Sequence, residues 1–203
     1  LVPELFGMEK EDFHDHEEVS EIYETKDGIL WVATSDWEAV TDTDTSRLWR
    51  QDGNGWQIVH EVISWVEFIY ETKDGTLWLG TGDGLWRQDG NGWQIVPELS
   101  GEASAIYESK DGILWVATAS ESEEGTEDVE GGLWRQDGNS WQLVLKGTGW
   151  VLTIYETKDG TLWVGAEHGL WRKNEGDARW LKEAHVKGPV AAIFEDADGV
   201  LWI

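Results

Sequence analysis

Tyr70-Glu71-Thr72-Lys73-Asp74-Gly75-Thr76-Leu77-Trp78 is followed seven residues later by Leu85-Trp86-Arg87-Gln88-Asp89-Gly90-Asn91-Gly92-Trp93. The first phrase recurs at Tyr23–Trp31, Tyr107–Trp115 and Tyr155–Trp163, with a decayed copy at Phe194–Trp202. The second recurs at Leu48–Trp56, Leu133–Trp141 and, worn, at Leu170–Trp180. The Asp of each Asp-Gly (Asp27, Asp74, Asp111, Asp159, Asp198) lies 47, 37, 48 and 39 residues from the one before. A period of roughly 40 residues marks a supersecondary unit repeated radially or in a stack.

Within the copy at 66–97, Val66–Glu71 is a β-branched and aromatic run that prefers a strand. Asp74-Gly75 accepts the positive φ of a type I′ hairpin. Thr76–Thr81, Leu85–Gln88 and Trp93–Val96 read as the second, third and fourth strands, and Pro97 is expected to end the last of them, because proline cannot donate to a ladder. Glycine recurs every eight to twelve residues and no stretch sustains a 3.6 period, which excludes helices. The expected fold is all-β: a β-propeller of four-stranded antiparallel blades, about five in number. Complete blades are expected at 17–60, 61–97, 98–145 and 146–183. Residues 1–5 form the terminal strand of a split or preceding blade, and 184–203 a partial blade whose missing strands come from further sequence or a partner chain. Thirteen of the 16 Trp occupy repeated framework positions and are expected in the core, as wedges between twisted sheets.

The pattern Asp-Gly-X-Leu-Trp-[Val/Leu]-[Gly/Ala]-Thr…Gly-Leu-Trp-Arg resembles the two-component regulator propeller repeat. That resemblance implies a ligand-sensing or scaffolding domain without catalytic residues in the repeat itself, and a periplasmic or secreted setting. Similar phrases occur in lyases of the streptogramin lyase type, so the fold alone does not exclude an enzyme.

The 203 residues carry 41 Asp and Glu against 15 Lys and Arg, a net charge of −26. Such a surface repels phosphate backbones and anionic membranes, and no run is apolar enough to insert in a bilayer. A carbohydrate, a peptide or a basic protein surface is compatible, as is self-association through the incomplete ends. Acidic charge also keeps a Trp-rich β-protein soluble. The absence of Cys excludes disulfides and thiolate metal sites.

Departures from the template are expected to mark function, since binding residues concentrate on loops held by a rigid scaffold. Three insertions fall on the end of the blades opposite the Lys-Asp-Gly turns: Phe6–Glu18, Ser35–Ser46 as a lengthened loop, and the Glu-rich Ala119–Gly131. The three Trp outside the framework, Trp37, Trp65 and Trp150, lie on the same side. Trp65 and Trp150 precede Ile69 and Ile154 by four residues, at the mouth of the expected channel, where aromatic rings can stack on sugars or hold cations. Trp37, Trp65 and Trp150, with Glu102 and with His168, which replaces Asp83, make the candidate ligand site. His14, His16, Asp42 and Asp44 are the weak metal candidates; the acidic loops could collect calcium but lack a closing bidentate Glu, and no cofactor is expected.

Three readings follow. The first is a non-catalytic recognition module. The second is a structural subunit docking a basic neighbour. The third is a lyase or hydrolase using His168, Glu102 and Glu67 as acid and base, although no nucleophile elbow, phosphate loop or zinc motif is present.

Overall fold

A computed structural model describes residues 17–38, 43–53, 55–119 and 132–203; for Trp37, Glu38, Thr43 and Asp44 it describes the main chain only. The described residues are strands and turns without a helix, and none is therefore a helix able to cross a membrane. The chain forms two compact units, 1–96 and 97–203.

The first unit holds two four-stranded antiparallel sheets in sequential order. One comprises β1 (Glu17–Glu24), β2 (Leu30–Glu38), β3 (Thr43–Asp52) and β4 (Gly55–Val62). The other comprises β5 (Val66–Glu71), β6 (Leu77–Thr81), β7 (Gly84–Asp89) and β8 (Gly92–Ser100), whose last residues cross the unit boundary. The second unit repeats the pattern with β9 (Glu102–Glu108), β10 (Leu114–Ala119), β11 (Gly132–Asp137) and β12 (Ser140–Lys146). Its next sheet is β13 (Val151–Glu156), β14 (Leu162–Ala166), β15 (Gly169–Lys173) and β16 (Leu181–Lys182), followed by the pair β17 (Phe194–Glu195) and β18 (Leu201–Trp202). The proposed terminal strand at 1–5 lies outside the described residues.

Each Lys-Asp-Gly turn is built alike, and differently from the type I′ expectation. Gly28 N–H donates to Thr25 O at 2.8 Å and Thr25 N–H to Ile29 O at 2.9 Å, so Lys26-Asp27 are the central residues and Gly28 follows at φ +82°. This is the three-residue hairpin, a type I turn closed by a left-handed glycine in a bulge. The Asp instead accepts from the hydroxyl two residues earlier: Thr72 to Asp74 at 2.7 Å and Thr157 to Asp159 at 2.7 Å. These bonds favour the carboxylate and hold Asp74 and Asp159 below the usual aspartate range.

Pro97 does not end its strand, because β8 continues to Ser100. β8 is the outermost strand of its sheet, the position in which a strand tolerates proline. The expected loop Ser35–Ser46 is also corrected. Ser35 pairs with Ser46, Trp37 with Asp44 and Glu38 with Thr43, so this insertion lengthens the β2–β3 hairpin.

Twelve of the thirteen framework Trp are buried or half-buried wedges, whereas Trp202, also expected in the core, is 61% exposed. Trp31, Leu48, Val62, Ile69, Leu79 and Trp93 form the core between the two sheets of the first unit, and Trp115, Leu133, Val151, Val164 and Trp171 that of the second. Trp31 meets Trp93 edge-on at 6.1 Å, and Trp115 meets Trp180 in the same way at 6.0 Å. Antiparallel register places an Arg opposite the Asp-Gly-X-Leu-Trp ring of each four-stranded sheet: Arg50 over Trp31, Arg87 over Trp78, Arg135 over Trp115 and Arg172 over Trp163, at 5.6 to 6.0 Å. The Leu-Trp-Arg phrase thus supplies a buried Leu and a cation for the neighbouring strand's indole.

Neighbouring sheets within a unit are latched by the Lys of the turn. Lys26 N–H donates to Glu71 Oε2 at 2.8 Å and Lys26 Nζ to Thr72 O at 2.6 Å. Lys110 does the same to Glu156 and Thr157, at 2.8 and 2.7 Å, and Lys158 to Glu195 and Asp196, both at 2.7 Å.

Candidate functional site

In a four-stranded meander the second-to-third turn and the link to the next sheet share one end, opposite the Lys-Asp-Gly turn. Trp65 and Trp150 both sit in such links. Their carbonyls accept from the adjacent second-to-third turn, from Gly82 N–H at 3.1 Å and Glu167 N–H at 2.8 Å, which confirms that the two positions are equivalent. The Trp65 ring lies against Gly82: a Cβ there would stand 2.6 Å from Trp65 Cε2. Trp65 is 41% exposed despite this anchoring. Trp150 is half-buried.

His168 is exposed in the β14–β15 turn, where its N–H donates to Thr148 O at 3.1 Å and its ring borders Gly149. It lines a cavity of about 570 Å³ with Glu167, Lys182, Glu183, Val186 and Lys187. Lys182 is held 4.8 Å over the Trp171 ring and Glu183 pairs with Arg172 at 2.5 Å, so much of the charge there is internally matched. Trp150 and His168 are therefore brought to one turn of the second unit.

Glu102 departs from the expected site. It is at the start of β9, paired with Ala119, and buried, so its carboxylate does not stand open as Trp65 does. Trp37 occupies a strand position opposite Asp44 rather than a loop. His14, His16, Asp42 and most of the Glu-rich insertion lie outside the described residues. Among the described residues no group of three His, Asp or Glu could hold a metal ion.

His60 has a structural place. Its ring stacks on Trp93 at 5.9 Å and meets Trp86 edge-on at 4.8 Å, and burial lowers its pKa against the opposing pull of Asp83 and Glu61.

A second cavity, of about 310 Å³, lies in the second unit at the Lys-Asp-Gly end, where the sequence is nearly uniform. It is lined by Lys110, Arg135, Lys158 and Lys173, with Trp115 beneath. Sequence reasoning missed it. The available signal was the worn copy Leu170–Trp180, in which Lys173 replaces the Gln of Gln51, Gln88 and Gln136.

The geometry of the sheets defines a class, the propeller built from repeated four-stranded blades, and comparison gives the family. The two component regulator propeller model matches residues 15–36, 63–83, 97–120 and 145–168, one match for each four-stranded sheet, and the chain belongs to that family. Among solved structures, a protein of unknown function from Dyadobacter fermentans is 16% identical, with 93% of this chain and 75% of that chain covered and a TM-score of 0.53. The extracellular domain of an assigned hybrid two component system from B. thetaiotaomicron is 17% identical with a TM-score of 0.56; 91% of this chain matches 32% of that one. A protein assigned as a gluconolactonase is 14% identical with a TM-score of 0.52, covering 83% of this chain and 69% of its own. At these identities the likenesses establish the fold alone. No curated protein matches the sequence.

Proposed function

We propose that this chain is a non-catalytic, extracytoplasmic recognition module that binds a carbohydrate or peptide at the end of its sheets opposite the Lys-Asp-Gly turns. The observation that carries this reading is Trp65: a large indole left 41% exposed while its main chain is tied to Gly82 and its ring rests on that glycine. An aromatic plane fixed from behind and open in front is suited to stacking on a sugar face or an apolar side chain. The same end carries the long β2–β3 hairpin, against the two-residue turn Gly82-Asp83 of the next sheet. The family match supports a sensing role, and the B. thetaiotaomicron relative is described as an extracellular domain.

The test is a glycan and peptide array probed with the purified chain, then with Trp65→Ala and Trp150→Ala separately. The reading expects a ligand whose binding is lost in Trp65→Ala while the melting temperature stays within a few degrees. Retained binding, or loss of fold in place of binding, refutes it.

A further inference from the structure

The cavity at the Lys-Asp-Gly end gathers four cations in a chain where acidic side chains outnumber basic ones by 41 to 15. Two of the four are committed to the latches: Lys110 Nζ to Thr157 O and Lys158 Nζ to Asp196 O. The other two converge on one ring. Arg135 Cζ and Lys173 Nζ each lie 6.0 Å from the centroid of Trp115. Neither forms an ion pair with a carboxylate among the described residues. Arg135 belongs to the repeated framework, whereas Lys173 is peculiar to this copy.

We propose that this cavity is a binding site for a small polyhydroxylated monocarboxylate, its carboxylate held between Arg135 and Lys173. The guanidinium fork and the ammonium are both N–H donors that a single carboxylate can accept from. Asp111, Glu156, Asp159 and Glu175 line the remainder. Asp159, whose Oδ1 accepts from Thr157 and from the Thr161 N–H, and Glu175, placed over Gly160, supply carboxylate acceptors for the ligand's hydroxyls. Ile113 and Leu162 add an apolar wall for the ligand's carbon skeleton. The balance of four cations against four carboxylates selects against phosphates and polycarboxylates, whose extra charge would meet acidic neighbours. It equally disfavours a neutral polyol, which leaves the Arg135–Lys173 pair unanswered. The volume lies at the small end of the range for ligand pockets, roughly 300–1,000 Å³, which suits one ring or a short chain.

This site shares no residue with the link that carries Trp65, so it goes beyond the recognition reading and stands or fails separately. Calorimetric titration of the purified chain with quinate, a cyclic polyhydroxy monocarboxylate, is the test. One site is expected, with myo-inositol and citrate binding at least about tenfold more weakly. Lys173→Gln places the sibling copies' own residue at this position and should fold; it is expected to weaken quinate about tenfold or more, while Lys173→Arg retains affinity within about threefold. Trp65→Ala should leave quinate binding unchanged. Absence of quinate binding at millimolar concentration, affinity unaltered in Lys173→Gln, or citrate binding as tightly as quinate would each overturn the proposal.

Discussion

The latch between neighbouring sheets makes a quantitative claim about Lys26. Replacing it by Met keeps most of the aliphatic stem and removes the 2.6 Å bond from Nζ to Thr72 O; the main-chain bond to Glu71 Oε2 remains. A hydrogen bond with a charged donor contributes about 1.5–3 kcal/mol, and ordering a lysine side chain costs up to about 1.5–2 kcal/mol. The difference leaves Lys26→Met destabilised by about 0.5 kcal/mol. The acceptor is a neutral carbonyl, so the loss should persist when salt is raised from 0.05 to about 0.5 M, conditions that screen ordinary surface ion pairs. Urea denaturation followed by Trp fluorescence reads the midpoint at both salts. Amide exchange gives a local check: Glu71→Ala removes the acceptor of the Lys26 N–H and should accelerate exchange at that amide. A loss below about 0.3 kcal/mol, or one that vanishes in salt, would show that the latch is decoration rather than a joint.

Other outcomes follow from single contacts. A Cβ on Gly165 would stand 2.6 Å from Val190 O and 2.7 Å from Thr153 Cγ2, so Gly165→Ala should lose about 1–3 kcal/mol by overpacking, whereas Gly53→Ala, with nothing within 4 Å, should change stability by less than about 0.5 kcal/mol; thermal melts distinguish them. Burial lowers the pKa of His60, so the unfolded chain binds its proton more readily and stability must fall as pH drops through 6.5 toward the folded value. Melting temperature should therefore decline more between pH 7.5 and 5.5 in the wild type than in His60→Leu, and parallel curves would contradict the assignment.

The strand order was readable because every strand is short, amphipathic and bounded by glycine, so alternation and punctuation agree. Three errors came from the same source. Asp-Gly by itself fits a type I′ turn; the choice of a type I turn with a glycine bulge depends on Thr25 and Ile29 pairing across it, which is a matter of register. Pro97 breaks a strand only where its N–H is needed, and edge position decides that. Ser35–Ser46 is polar, Thr-rich and acidic, and reads as a loop, yet Thr43 and Thr45 give its second half β-branched residues that pair with Glu38 and Asp36 once Thr34 and Arg47 are already opposed.

Site residues were less legible, because chemistry here is created between copies. Trp65 and Trp150 could be singled out as departures from a template, and the template also indicated that they are equivalent. Glu102 met the same criterion and is buried, since a departure does not reveal which way a side chain turns. The converse case is Lys173. In one repeat a Gln→Lys change is a routine surface substitution in a worn copy. Only when β15 is placed beside the preceding sheet does Lys173 come to Trp115, on the ring that Arg135 already faces across the strand pair. The uniform end of a repeat protein therefore cannot be treated as inert: one altered residue on a repeated frame is enough to make one place chemically different from its siblings. If Gln88→Lys, which brings the same change to the first unit's own Arg50 and Trp31, raised the quinate stoichiometry from one to two, binding would be shown to arise from that single position on a shared frame. Unchanged stoichiometry would mean that Asn174 and Glu175, the other departures of this copy, are required as well.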